Sequence, residues 1–127
     1  MKRSYHLIRI VIADDHQMYR EGFKVLLKEQ EQLELVGEAE NGRELVQLTE
    51  KHNPDLIFTD ISMPVMDGIE ATRRIHKQYP DIGIIALTTY ESDDLIIKML
   101  DAGAKGYLLK IAYFPAIINP ETGFITH

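Results

Sequence analysis

Cysteine is absent from the 127 residues, which excludes disulfide frameworks, thiolate metal sites and cysteine nucleophiles together. Long apolar runs are absent too. The longest, Ile111 to Ile118, holds eight residues with a proline inside, against about 20 for a membrane span. Met1-Lys2-Arg3 is basic, but the run after it is broken by Arg9 and stops at Asp14-Asp15. It has neither the apolar core nor the small-residue cleavage site of a signal peptide. No Asn-x-Ser/Thr sequon, internal repeat or low-complexity stretch occurs. Positive charge is in deficit, 14 Lys and Arg against 20 Asp and Glu, for a net charge of -6. A field of that sign does not draw a chain to a phosphate backbone. A cytoplasmic protein is the expectation.

What is present suits one globular domain. Apolar residues make up 45% and charged residues 27%, ordinary values for a chain that buries its own core. Two periodicities alternate. Leu7 to Ala13, Leu56 to Thr59, Ile82 to Leu87 and Tyr107 to Leu109 are short, nearly continuous apolar runs, the mark of strands buried on both faces. Leu33 to Glu40 alternates apolar residues with Glu34, Glu38 and Glu40, as an edge strand with one polar face does. Between the strands lie helical stretches. The first carries Tyr19, Phe23, Leu26 and Leu27 on one stripe. The second ends at Asn53-Pro54, the third runs from about Gly68 to Tyr79, and the fourth starts at Ser92-Asp93-Asp94. The order βαβαβαβαβ predicts an α/β fold: a doubly wound, five-stranded parallel sheet, flavodoxin-like, in strand order 2-1-3-4-5.

Such sheets bind ligands at the carboxyl ends of the strands, where the strand order reverses. Asp14-Asp15, Asp60, Thr88 and Lys110 each follow or end an apolar run, and the topology gathers them at that edge. Singly, each has an ordinary explanation as a helix cap, a turn residue or a solvated charge. Their joint placement favours a site. Two carboxylates about 4 Å apart repel by roughly 4 kcal/mol at an effective dielectric of 20, so one takes up a proton or a hard cation holds them. An oxygen-only site of this size suits Mg²⁺. A cation beside a carboxylate, a hydroxyl and an ammonium is a layout for handling phosphoryl groups, with a carboxylate as nucleophile. Two other readings compete. A flavodoxin-like cofactor binder wants a Ser/Thr/Gly-rich loop after the first strand, where Asp14-Asp15 stands. An aspartyl phosphatase wants an acid two residues after its nucleophile, where Ser62 stands. P-loop and Rossmann fingerprints are missing.

Four segments make the pattern specific: Val11 to His16, Pro54 to Gly68, Ile84 to Thr88, and Gly103 to Lys110. Together they resemble the response-regulator receiver domain of two-component signalling. The Asp14-Asp15-His16 opening and the Gly103-Ala104-Lys105-Gly106-Tyr107-Leu108-Leu109-Lys110 ending resemble the LuxR/NarL-FixJ-like subfamily, which carries a C-terminal helix-turn-helix. The resemblance implies that Asp60 accepts a phosphoryl group from a phosphohistidine on a sensor histidine kinase. It implies that Asp15, Asp60 and the Ser62 carbonyl coordinate Mg²⁺, with Asp14 acting through water. Lys110 would contact the phosphoryl group, Thr88 would swing toward it, and Tyr107 would change rotamer. Transcription control would run through a DNA-binding domain that does not follow residue 110 here, so this chain alone is not expected to bind DNA.

The receiver is expected over residues 5–110 and an atypical tail over 111–127. Receivers follow the lysine with a fifth amphipathic helix. Here Pro115 and Pro120 interrupt a tail with no polar face, and a helix-interior proline costs about 3 kcal/mol. The fifth helix is therefore expected to be missing or irregular. The patch that helix would cover is expected to be hidden by the tail lying extended or by another molecule, and Tyr113, Phe114, Ile117, Ile118, Phe124 and Ile125 favour self-association as a homodimer. His16, although next to the acids, reads as a first-turn helix residue. Leu95 to Leu100 reads equally as deep core or as a partner surface.

Overall fold

Crowded β-branched residues and helix stripes alternate strictly, and the backbone follows them. The computed structural model describes residues 7–89 and 93–110. Its elements are β1 (Ile8–Ala13), α1 (Gln17–Lys28), β2 (Leu33–Ala39), α2 (Gly42–His52), β3 (Leu56–Asp60), α3 (Gly68–Gln78), β4 (Gly83–Thr88), α4 (Asp93–Ala102) and β5 (Gly106–Leu109). All pairings are parallel and the sheet order is β2-β1-β3-β4-β5. The fold class is as expected. The tail, the fifth helix and the Ser92 start of the fourth helix lie outside the described residues. No helix among the described residues is long and apolar enough to cross a membrane.

The central strands β3 and β4 are buried at every position, as strands covered on both faces must be. Side chains alternate between two cores. Val11, Ala13, Ile57, Ile84 and Ala86 face one core, which α2, α3 and α4 close with Leu45, Ala71, Ile75 and Met99. Ile10, Ile12, Phe58, Ile85, Leu87 and Leu108 face the other. Among the described residues only α1 covers that second face, through Phe23 and Leu27 and the flanking Tyr19 and Leu26. The Phe23 and Phe58 rings are tilted with centroids 5.1 Å apart, a contact worth about 1 kcal/mol beyond its area. Between α1 and β5 a groove of about 460 Å³ remains, lined by Tyr19, Phe23, Val25, Leu26, Leu108 and Lys110 among others.

Caps set where the helices begin. Asn41 Oδ1 accepts from the Glu44 backbone N–H at 2.9 Å, which caps α2, and Glu44 Oε1 accepts from the Glu40 N–H just before the cap at 2.8 Å. Asp67 Oδ1 caps α3 through the Glu70 N–H. Asn53 ends α2 at φ 46°, a left-handed position Asn tolerates. The edge strand β2 has its polar face, with Glu34 and Glu38 exposed. Its alternation breaks at Val36 because the register shifts there: Ile10 pairs with Leu35 and Val11 with Gly37. Val36 is the extra residue of a bulge.

The fourth helix divides the two readings of its wide apolar set. Ile96 and Met99 are buried, while Ile97 and Leu100 face outward.

Candidate functional site

Strand termination builds the site. The parallel registers place Ala13 beside Thr59, Asp60 beside Leu87, and Thr88 beside Leu109. Asp14, Asp60, Thr88 and Lys110 therefore arrive at one edge of the sheet. Asp14 is fully buried at the end of β1. Its Oδ1 accepts from the His16 backbone N–H at 2.8 Å and lies 2.9 Å from His16 Nδ1. Its Oδ2 forms a buried ion pair with Lys110 Nζ at 2.5 Å. Asp60 Oδ1 accepts from the Ile61 N–H at 2.9 Å, and Oδ2 from Lys110 Nζ at 3.2 Å. A cavity of about 190 Å³ opens over these groups, bordered by His16, Asp60, Ser62, Thr88, Leu95 and Lys110 among others.

Four of the expected residues, Asp60, Ser62, Thr88 and Lys110, border that cavity. Asp14 and Asp15 join Asp60 in a cluster whose potential ligand atoms lie within 4.8 Å of one another. Tyr107 is not among the described residues bordering the cavity. It sits on β5 opposite Ala86 and is exposed. The donor set fits a small divalent cation. It is rich in carboxylate oxygens, with three aspartates offering ligand atoms within one small cluster.

The geometry adds residues that sequence reading treated as ordinary. His16 starts α1 without capping it, and its Nδ1 stands 3.4 Å from Asp15 Oδ1 and 3.9 Å from Asp60 Oδ2. Arg20, buried on α1, donates to the Asp14 backbone carbonyl and, through Nε at 3.1 Å, to Glu38 on β2. It ties the end of β1 to the edge strand. The Tyr19 ring lies under Lys110, with Nζ 4.9 Å from the ring centroid, a cation–π contact. Burial, and then the charges of Asp14 and Asp60, push the Tyr19 phenol up to about 12. None of the three departs in residue type from an ordinary helix, so the sequence held no signal for them.

Burial and the Asp14 charge raise the Asp60 carboxyl above its ordinary value, against the opposing pull of Lys110. Folded Asp60 therefore holds its proton to a higher pH than an unfolded aspartate at 3.8. Its contribution to stability is largest in acid and declines as pH rises from 3.8 through the raised folded value. In metal-free buffer at neutral pH, Asp60→Asn is expected to raise Tm by on the order of 4 °C. The gain should shrink as pH falls into the ordinary carboxylate range. A Tm at or below wild type at neutral pH would contradict the electrostatic account.

An open parallel sheet in this order, with carboxylates and a lysine at its switch point, defines a doubly wound, flavodoxin-like α/β class. The chain belongs to the response regulator receiver domain family, which it matches over residues 10–119. It is 45% identical over 112 residues to the transcriptional regulatory protein DegU of Brevibacillus brevis, covering 88% of this chain and 48% of that protein. Its fold is similar to the signal receiver domain of the response regulator NarL from Mycobacterium tuberculosis, with a TM-score of 0.80 and 29% identity. That match covers 86% of this chain and 88% of the other. It is also similar to a LuxR-family two-component response regulator from Aurantimonas sp. SI85-9A1, with a TM-score of 0.84 and 30% identity, covering 95% of this chain and 89% of the other. The chain spans about half the length of the curated relatives it matches.

Proposed function

We propose that this chain is a phosphorylation-dependent switch in which Asp60 accepts a phosphoryl group from a phosphohistidine of a sensor histidine kinase. The observation that supports it most is the Asp60 carboxylate, held by Lys110 Nζ at 3.2 Å and opening on the cavity above β3 and β4. In the transfer, an Asp60 carboxylate oxygen forms the new P–O bond as the P–N bond breaks, and the electron pair leaves with the imidazole. Raised basicity suits Asp60 to attack as a nucleophile. Lys110 holds and partly neutralises the phosphoryl oxygens. Asp15, Asp60 and the Ser62 carbonyl would hold Mg²⁺, with Asp14 acting through a water. Bound there, Mg²⁺ neutralises developing charge on the phosphoryl oxygens.

Thr88 offers its hydroxyl to the new group, and Tyr107 on the neighbouring strand changes rotamer in response, as a two-state element does under a new charge. The output is transcription control through a DNA-binding domain outside this chain, in the cytoplasm. The receiver unit is residues 5–110, with 111–127 as an atypical tail whose apolar residues favour self-association.

Incubation with Mg²⁺ and acetyl phosphate is expected to add one base-labile phosphoryl group, read by intact mass. Asp60→Asn should abolish it. Full modification of that variant would refute the assignment, as would no modification of the wild type.

A further inference from the structure

We propose that His16 is a conditional metal ligand that makes the acid cluster favour nitrogen-preferring divalent ions such as Ni²⁺, without serving Mg²⁺. The inference rests on the reading that Asp15 and Asp60 hold the cation. Three distances carry it. His16 Nδ1 stands 2.9 Å from Asp14 Oδ1, 3.4 Å from Asp15 Oδ1 and 3.9 Å from Asp60 Oδ2. Adjacent ligands on one six-coordinate ion with bonds near 2.1 Å lie about 3 Å apart. The ring nitrogen stands at that spacing from Asp14 and somewhat beyond it from Asp15 and Asp60, so the ring must turn a little to share an ion with them. The side chain is 64% exposed, so it can turn toward an ion or leave a water in its place.

The chemistry of the ions then decides. Mg²⁺ is hard, sheds water reluctantly and keeps several waters in its shell. Exchanging one of those waters for an imidazole brings it little. Imidazole is a preferred ligand for Ni²⁺, Cu²⁺ and Zn²⁺. The same pocket would therefore change its ligand set with the ion it holds. His16 would stay outside around Mg²⁺ and swing in around Ni²⁺. The fully buried Asp14 is the pivot, because its Oδ1 already holds the His16 backbone N–H at 2.8 Å and so fixes where the ring starts.

Titration calorimetry on the full chain, with Mg²⁺ and Ni²⁺ separately and Ni²⁺ in competition with Mg²⁺, tests this. His16→Ala is expected to weaken the Mg²⁺-competed Ni²⁺ site at least tenfold and to leave Mg²⁺ affinity within twofold. His16→Gln, which retains a polar partner for Asp14 but no ring nitrogen, should behave like His16→Ala. Unchanged Ni²⁺ affinity in His16→Ala would overturn the proposal and leave the Mg²⁺ reading intact. Parallel loss for both ions, or rescue by Gln, would make His16 a positioning residue and also overturn it. A wild-type chain that binds no Mg²⁺ would overturn the cation reading of Asp15 and Asp60, and this inference with it.

Discussion

Gly68→Ala is expected to lower Tm by on the order of 10–20 °C, because its Cβ would make the shortest contact of any glycine in the described residues. A Cβ there would stand 2.1 Å from the Asp60 backbone carbonyl oxygen and 3.1 Å from the Ile61 Cα. Both neighbours are backbone, so neither can give way by a rotamer change. The first turn of α3 is also tied to the strand end by the Gly68 N–H, which donates to the Ile61 carbonyl at 2.7 Å. Moving α3 outward breaks that bond and opens the core under Ala71 and Ile75. Overpacking of this kind costs about 3 kcal/mol. Gly22→Ala is the control, since nothing lies within 4 Å of a Cβ at that position in α1. It should be neutral or stabilise by up to about 1 kcal/mol. Thermal melts of the two variants side by side decide the matter, and equal effects would refute the contact argument.

Lys110→Met is expected to destabilise the metal-free chain by about 3 kcal/mol at neutral pH, read by urea unfolding with a chelator present. Lys110 Nζ pairs with Asp14 Oδ2, where the side chains are 7% and 0% exposed, and also reaches Asp60 Oδ2 at 3.2 Å. Without the ammonium, the acids at the sheet edge lose their main counter-charge and repel one another. Asp14→Asn in the Lys110→Met background should restore most of the loss, because the buried charge is then gone. A double variant as unstable as the sum of the singles would mean that Lys110 acts through packing of its stem.

The strand ends were legible in the sequence for a physical reason. A strand buried on both faces is an unbroken apolar run, and the first polar residue after it marks the rim of the sheet. Asp14, Thr88 and Lys110 obey that rule, and Asp60 follows one residue after the buried Thr59, so fold and site came largely from one signal. Val36 disturbed the period of β2 in the sequence, but two adjacent apolar residues do not say which strand carries the bulge; the paired register does. His16, Tyr19 and Arg20 were not legible. Their spacing fits a helix equally well whether they face water, core or site, and the turn between β1 and α1 decides which. The fourth helix shows the limit of composition: five large apolar residues from Leu95 to Leu100 give width but not direction, and the structure sends Ile97 and Leu100 outward.

Lys110 has a second neighbourhood. Its Nζ lies over the Tyr19 ring, and both side chains line the groove between α1 and β5. Any change in the net charge around Asp60 therefore changes how firmly that ammonium rests on an aromatic face. The chain has no tryptophan, so tyrosine is its intrinsic fluorophore, and Tyr19 sits where pocket charge meets groove wall. Ultraviolet emission referenced to Tyr19→Phe thus becomes a gauge of the acid pocket, read from a ring that itself holds no ligand and needs no added dye.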